Sequence, residues 1–149
     1  MLIVAKSVAD KEVARRFVKD HGIDIPMSDD FNAIGRINAE NKLMGVVVYN
    51  GFNGLTCSMH NAGDGNWISR EFLKVAFHYP FVECGLNHIL VTVAADNERA
   101  MKLDRHLGFR VLFRVRHGWA RNVDTVVLGM ARHECRWIEQ EKQRELKIA

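Results

Sequence analysis

The spacing of apolar and polar residues changes period several times along the chain. Leu2 to Ala5 is a short apolar run of strand type, and beyond Ser7 the residues Val13, Ala14, Phe17 and Val18 recur at helical spacing. A strand followed by a helix is predicted, with Ser7 and Asp10 as a weakened capping box and Gly22 and Pro26 as the stop. After a polar loop from Gly22 to Asp30, three segments carry strand character: Asn32 to Ala39, Lys42 to Tyr49 and Leu55 to His60. Glu40-Asn41 and the Gly51 to Gly54 cluster supply turns between them, so this stretch reads as an antiparallel meander.

A Gly/Asn-rich loop, Asn61 to Asn66, then leads into a helix predicted from Trp67 to Tyr79, with Ile68, Phe72, Val75, Ala76 and Tyr79 at helical spacing and Pro80 as the stop. His88 to Ala94 is a β-branched strand. Asp96 or Asn97 caps the next helix, in which Ala100, Leu103 and Leu107 share a face before Gly108 terminates it. Phe109 to Arg116 and Val123 to Met130 form a closing strand pair across His117 to Asn122. Past Ala131 the charged sequence predicts a helix with a thin apolar stripe of Cys135, Ile138 and Leu146. The expected organisation is one domain, 1–131, with a helical extension, 132–149, that caps it or pairs two copies as a homodimer.

This order predicts an α/β fold of the α+β type: a central, mostly antiparallel mixed sheet with helices on both faces. Strands four and five should run parallel through a right-handed crossover, with a ligand groove at their C-terminal ends.

Composition narrows the functional classes. At 149 residues, 48% apolar and 26% charged, with 2 Pro and 11 Gly, the chain has ordinary globular composition, which excludes disordered and collagen-like classes. No run reaches the ~18 apolar residues of a membrane span, and Met1 to Val4 shows no basic leader, so no membrane partner and no secretion are expected. Cys57, Cys84 and Cys135 are odd in number and widely spaced, which fits reduced thiols and a cytoplasmic location. A net charge of +3 is too slight to require nucleic acid, although Arg114, Arg116, His117 and Arg121 form a local basic group that would suit an anionic acceptor or nucleic acid, with a solvated edge hairpin as the plainer reading.

The segment Asn97-Glu-Arg-Ala100-Met-Lys-Leu103-Asp-Arg-His-Leu107-Gly108-Phe109 resembles the Asn-x-x-Ala-x-x-Leu-x-x-x-x-Gly-Phe signature of the GNAT family of N-acetyltransferases. Trp67 to Phe81, ending in Tyr79-Pro80-Phe81, is similar to the helix after the cofactor loop in members related to ribosomal-protein acetyltransferases. Gly129-Met130 with Glu134-Cys135-Arg136-Trp137 is similar to the tails of phage-encoded members, for which the host cytoplasm would be the location. The resemblance spans roughly Lys42 to Trp137. It implies the acyl-CoA N-acyltransferase fold, acetyl-CoA as co-substrate, and direct attack of an amine on the thioester. Two departures stand out. The pyrophosphate loop, Ala62-Gly63-Asp64-Gly65-Asn66-Trp67, lacks the usual Arg or Gln and the second small residue, and Asp104 stands where the family often has an acidic Tyr.

Gly63, Gly65, Asn66 and Trp67 run into a helix start, where Ser69 and Arg70 would add a hydroxyl and a cation to backbone N–H groups suited to phosphate. Asp64 fits there only if its side chain turns away. The resemblance places the pantetheine arm against backbone of Cys57, Ser58 and Met59 and against Asn97, which also reads as an N-cap. His60 is the candidate general base, with a hydrogen-bonded structural histidine as its plainer reading, and Asp104 a candidate acid if protonated, with a solvated helix residue as its plainer reading. Cys57-x-x-His60 and His133-x-Cys135 have no sensible further ligands, so no metal is expected. Asp24, Asp29 and Asp30 would attract a cationic amine, with a solvated charged loop as the plainer reading. The short Ser7 to Asp30 region would leave an open acceptor site suited to a protein or other macromolecule. A catalytically silent binding or inhibitor protein of the same fold, and an acyltransferase acting on nucleic acid or aminoacyl-tRNA, remain as alternatives.

Overall fold

The computed structural model describes residues 2–5, 8–23 and 30–140. Ser7, Asp24, Pro26, Asp29 and Leu146, each given a role above, lie outside the described residues. The elements are β1 (Leu2–Ala5), α1 (Val8–Asp20), β2 (Phe31–Ile37), β3 (Leu43–Asn53), β4 (Thr56–Gly63), α2 (Arg70–His78), β5 (His88–Ala94), α3 (Glu98–Leu107), β6 (Arg110–Ala120) and β7 (Val123–Ala131). They build a seven-stranded sheet in the order β1-β2-β3-β4-β5-β7-β6. Every neighbouring pair is antiparallel except β4 and β5, which are parallel, as the element order predicts.

Strand alternation assigns the two faces. Val46 and Val48 of β3, with Ala62 of β4, pack under Ala14 and Val18 of α1. Their neighbours Val47 and Tyr49, with Cys57 and Met59 of β4, join Phe72, Ala76 and Phe77 of α2 and Leu107 of α3 on the other face. The Tyr49 hydroxyl donates to the Ala76 carbonyl, so its burial leaves no polar group unpaired. α1 packs on β1 to β4.

Local chemistry shifts several expected boundaries. β3 continues through Gly51, whose φ of +58° accommodates an irregularity in the ladder, and the turn falls at Gly54 instead. β4 correspondingly runs on to Gly63. The helix expected from Trp67 begins at Arg70, because Ser69 has extended backbone and its hydroxyl accepts the Phe72 N–H at 3.1 Å. Pro80 does not halt the chain's helical path: Tyr79–Glu83 forms a π-helical turn in which proline sits in the first turn, where no N–H is needed. α3 is as predicted, with Asn97 accepting from the Ala100 N–H and Gly108 at φ +114°. The last hairpin is longer than expected, since pairing resumes at Ala120 and Val123 beyond an irregularity that includes His117 at φ +55°.

The C-terminal helix expected past Ala131 does not form over residues 132–140. Arg132–Glu134 is a short 3-10 turn, and the chain then lies against the core. Cys135 is buried, and the Trp137 indole N–H donates to the Leu107 carbonyl at 2.9 Å. Burial of Cys135 and packing of half-buried Trp137 against the core outweigh the helical propensity of the surrounding charged residues. Residues 141–149 lie outside the described residues.

Candidate active site

The parallel strands part early. β4 and β5 pair only at Thr56 with His88, Cys57 with Ile89 and Ser58 with Leu90, although both strands continue well beyond. Met59–Gly63 and Val91–Ala94 therefore diverge, exposing backbone groups that a regular ladder would consume. A small cleft opens at this fork, lined by Met59 and Asn61 of β4, Val91 of β5, Ile68, Phe72 and Leu107. Both crossover helices begin at its open end, α2 after β4 and α3 after β5. This is where α/β sheets receive ligands, beyond the carboxyl ends of parallel strands.

The loop from Asp64 to Ser69 is held in place by contacts far apart in sequence. Asp64 turns away from the helix start, its Oδ1 accepting from His21 Nε2 at 2.8 Å at the end of α1. His21 Nδ1 donates to the Phe17 carbonyl at 2.7 Å. A carboxylate and a carbonyl as its two partners favour the doubly protonated ring, and the bond to Asp64 raises its pKa. The loop's carboxylate is thus neutralised beside the phosphate position. Replacing His21 by Ala is expected to weaken acetyl-CoA binding about 3-fold to 10-fold at low salt and less at 0.5 M, measured by calorimetry.

Trp67 is a packing residue. Its indole is buried and meets the Phe72 ring edge-on with centroids 5.1 Å apart. It lies against the backbone of Gly45 and Gly63, where an added Cβ would come within 2.1 Å of indole atoms. Gly63, expected to admit a phosphate, instead admits an indole. Gly65 differs: at φ +61°, an added Cβ would meet nothing within 4 Å, so it faces open space. Arg36 donates to the Trp67 carbonyl and ties the loop to β2. Ser69 caps α2, Asn66 and Arg70 are exposed beside it, and the N–H groups of Arg70 and Glu71 have no acceptor within the helix.

Three expected cofactor contacts on β4 are redistributed. Cys57 and Ser58 are already paired with β5, which leaves Met59 as the one of the three that lies past the fork. Cys57 is in addition fully buried, and burial pushes its thiol up to about 12, an inert side chain. It lies on the α2 face while His60 lies on the α1 face, so the two cannot share a metal. Among the described residues no group of three or more His, Cys, Asp or Glu side chains is placed to hold a metal.

His60 is half-buried, and its Nε2 donates to Asn50 Oδ1 at 2.9 Å. Burial lowers its pKa, so the ring is neutral with the Nδ1 lone pair available. Asp104 departs most from the reading as a solvated residue: it is only 5% exposed. It continues the core-facing stripe of α3 with Ala100 and Leu107, at i, i+4 and i+7. Burial raises its carboxyl to about 7. Asp104 and His60 each lie about 10 Å in from the open end of the fork, on opposite faces of the sheet.

Among solved structures, spermidine N-acetyltransferases SpeG from Vibrio cholerae are similar. One substituted form superposes with a TM-score of 0.74 at 15% identity, over 89% of this chain and 95% of that one. The complex with CoA and spermine gives 0.71 at 16% identity, over 89% and 96%. The chain shares the fold of these solved structures. No protein-family model matches the chain and no curated protein sequence is similar to it.

His21, Arg36 and Asn50 were not among the sequence candidates. His21 and Asp64 are 43 residues apart, and no spacing rule joins them. Asp104 carried a readable signal, the i, i+4, i+7 stripe with Ala100 and Leu107.

Proposed function

We propose that the protein is an acetyl-CoA-dependent N-acetyltransferase that passes the acetyl group directly to an amine. The observation that carries this reading is the fork after Ser58 and Leu90, with free N–H groups of α2 at its mouth. Diphosphate would sit at the α2 start, where the loop carboxylate is already neutralised by His21 and where Gly65 leaves space, with Ser69, Asn66 and Arg70 around it. After its oxygen caps α3, the Asn97 side-chain NH2 has no acceptor among the described residues and would donate to the cofactor. The extended arm of the cofactor would pair with Met59–Gly63 as an added strand.

In this reaction the amine nitrogen attacks the thioester carbonyl carbon, and the C–S bond breaks as the C–N bond forms. His60 Nδ1 takes the proton released by the amine, directly or through water. The Asp104 carboxyl supplies a proton to the departing thiolate. No covalent enzyme intermediate is needed. We take the acceptor to be an amine on a protein, a reading supported by the resemblance to ribosomal-protein acetyltransferases; the solved neighbours are named for spermidine.

Calorimetric titration with acetyl-CoA tests the cofactor assignment. Binding with micromolar affinity, reduced at least 30-fold by Gly65→Trp, is expected, with the variant's fold checked by circular dichroism. Absence of binding by the unsubstituted protein would instead favour a catalytically silent binding protein.

A further inference from the structure

His21 meets two oxygens that can only accept. Its Nε2 lies 2.8 Å from Asp64 Oδ1, in the loop after β4, and its Nδ1 lies 2.7 Å from the Phe17 carbonyl oxygen. That carbonyl is left to the ring because the His21 backbone N–H goes to the Val18 carbonyl instead. A neutral imidazole has one N–H and one lone pair, so either neutral tautomer would set its lone pair against an oxygen. One of the two contacts must then open, and only the doubly protonated ring makes both. The Phe17 ring stacks on the imidazole with centroids 4.3 Å apart, and a place at the C-terminal end of α1 favours a cation as well.

The Asp64 backbone is fixed separately, its N–H donating to the Met44 carbonyl at 2.8 Å. Its side chain is 54% exposed, so the direction of the carboxylate is set by the partner it bonds rather than by packing. The next residue is Gly65, where the loop opens to the space assigned to diphosphate. A carboxylate released by His21 therefore stands unpaired one residue from that anion, whereas one held by His21 is both turned away and neutralised.

We propose that His21 positions the cofactor loop by holding the Asp64 carboxylate away from the α2 start, and that acetyl-CoA binding therefore takes up a proton from solvent at His21. This rests on the acetyl-CoA reading above and adds its dependence on pH. Among the described residues, the charged groups that face the ring are Asp64 from the loop and Asp20 from α1. The bond to Asp64, then the one to the Phe17 carbonyl, and the charge of both carboxylates hold its pKa above the ordinary 6.5. A nearby diphosphate favours the cation further. Affinity is therefore greatest at low pH, falls as pH rises through the pKa of His21 in the free protein, and levels off above its value in the complex. Solvent screening of a partly exposed pair holds the change to about 5-fold.

The test titrates the full chain with acetyl-CoA by calorimetry from pH 6 to pH 9, in buffers of two ionisation enthalpies, alongside His21→Gln, Asp64→Asn and the double variant. His60, Asp104 and the 3′-phosphate of the cofactor also titrate near this range but are common to all four proteins, so differences among them isolate His21. Relative to Asp64→Asn, the unsubstituted protein is expected to lose about 5-fold in affinity across the range and to take up about 0.4 proton at the midpoint. His21→Gln should bind about 5-fold more weakly at pH 6, and the double variant should regain the affinity of Asp64→Asn. Without cofactor, the His21 C2–H resonance should titrate above 6.5 and move down in Asp64→Asn. A double variant as weak as His21→Gln would overturn the proposal, since His21 would then act on the cofactor itself. So would equal pH dependence in the unsubstituted protein and Asp64→Asn, or a His21 resonance indifferent to Asp64→Asn. If all four bind acetyl-CoA alike, the cofactor assignment stands and this proposal alone fails; if none binds it, both fall.

Discussion

Exchange of Asp104 for Asn is expected to make the protein more stable above neutral pH and, at the same time, a much poorer catalyst. The carboxyl is held on the buried stripe of α3, and its folded pKa of about 7 lies well above that of an unfolded aspartate, near 3.9. Below pH 4 both states hold the proton and the group costs nothing. Between pH 4 and 7 the unfolded chain ionises while the folded one does not, so stability falls; above pH 7 the folded carboxylate is ionised too and the cost levels off. An amide of the same shape escapes that cost. The gain for Asp104→Asn should therefore be near zero at pH 4 and approach about 4 kcal/mol at pH 8, read from urea midpoints across that range. Turnover should move the other way, with kcat down about 100-fold and the alkaline limb near pH 7 lost. A merely structural aspartate would give the stability gain with kcat unchanged.

The same residue shows where sequence reading succeeds and where it stops. Strand order, the parallel fourth and fifth strands and α3 with its Asn97 and Gly108 caps are legible, because each rests on local periodicity or on a cap whose chemistry is complete within a few residues. The position of Asp104 is legible as well, but its protonation is not. That depends on how tightly α3 packs on the sheet, a tertiary property that leaves no trace in spacing. His21 and Asp64 meet only because α1 ends near the loop after β4. The C-terminal segment misleads for the opposite reason: its charged residues favour a helix, and burial of Cys135 with packing of half-buried Trp137 against the core overrides them. His60 is legible as a candidate base, whereas its hydrogen-bond partner Asn50 lies on the adjacent strand and requires the β3–β4 register.

Gly63→Ala is expected to destabilise the fold by about 3 kcal/mol and to be rescued by reducing Trp67. In a phosphate-binding glycine loop, a methyl group would block the ligand and spare the fold. Here the backbone of Gly63 faces the Trp67 indole, and a Cβ would stand 2.1 Å from its Nε1, deep inside van der Waals contact. The indole cannot retreat, because Gly45 on β3 meets its other ring at the same 2.1 Å and Phe72 packs against it edge-on. Overpacking of this kind costs about 1 to 3 kcal/mol, at the upper end where rigid neighbours surround the site. Trp67→Leu alone should also destabilise by about 3 kcal/mol, through the cavity it leaves. The double variant should be more stable than the sum of the two losses predicts, with a coupling of about 2 kcal/mol in a double-mutant cycle from denaturant unfolding. Acetyl-CoA affinity in that double variant separates the two roles of the glycine: near-normal binding with Ala at position 63 assigns Gly63 to the indole and leaves Gly65 as the residue that keeps the loop open to the cofactor.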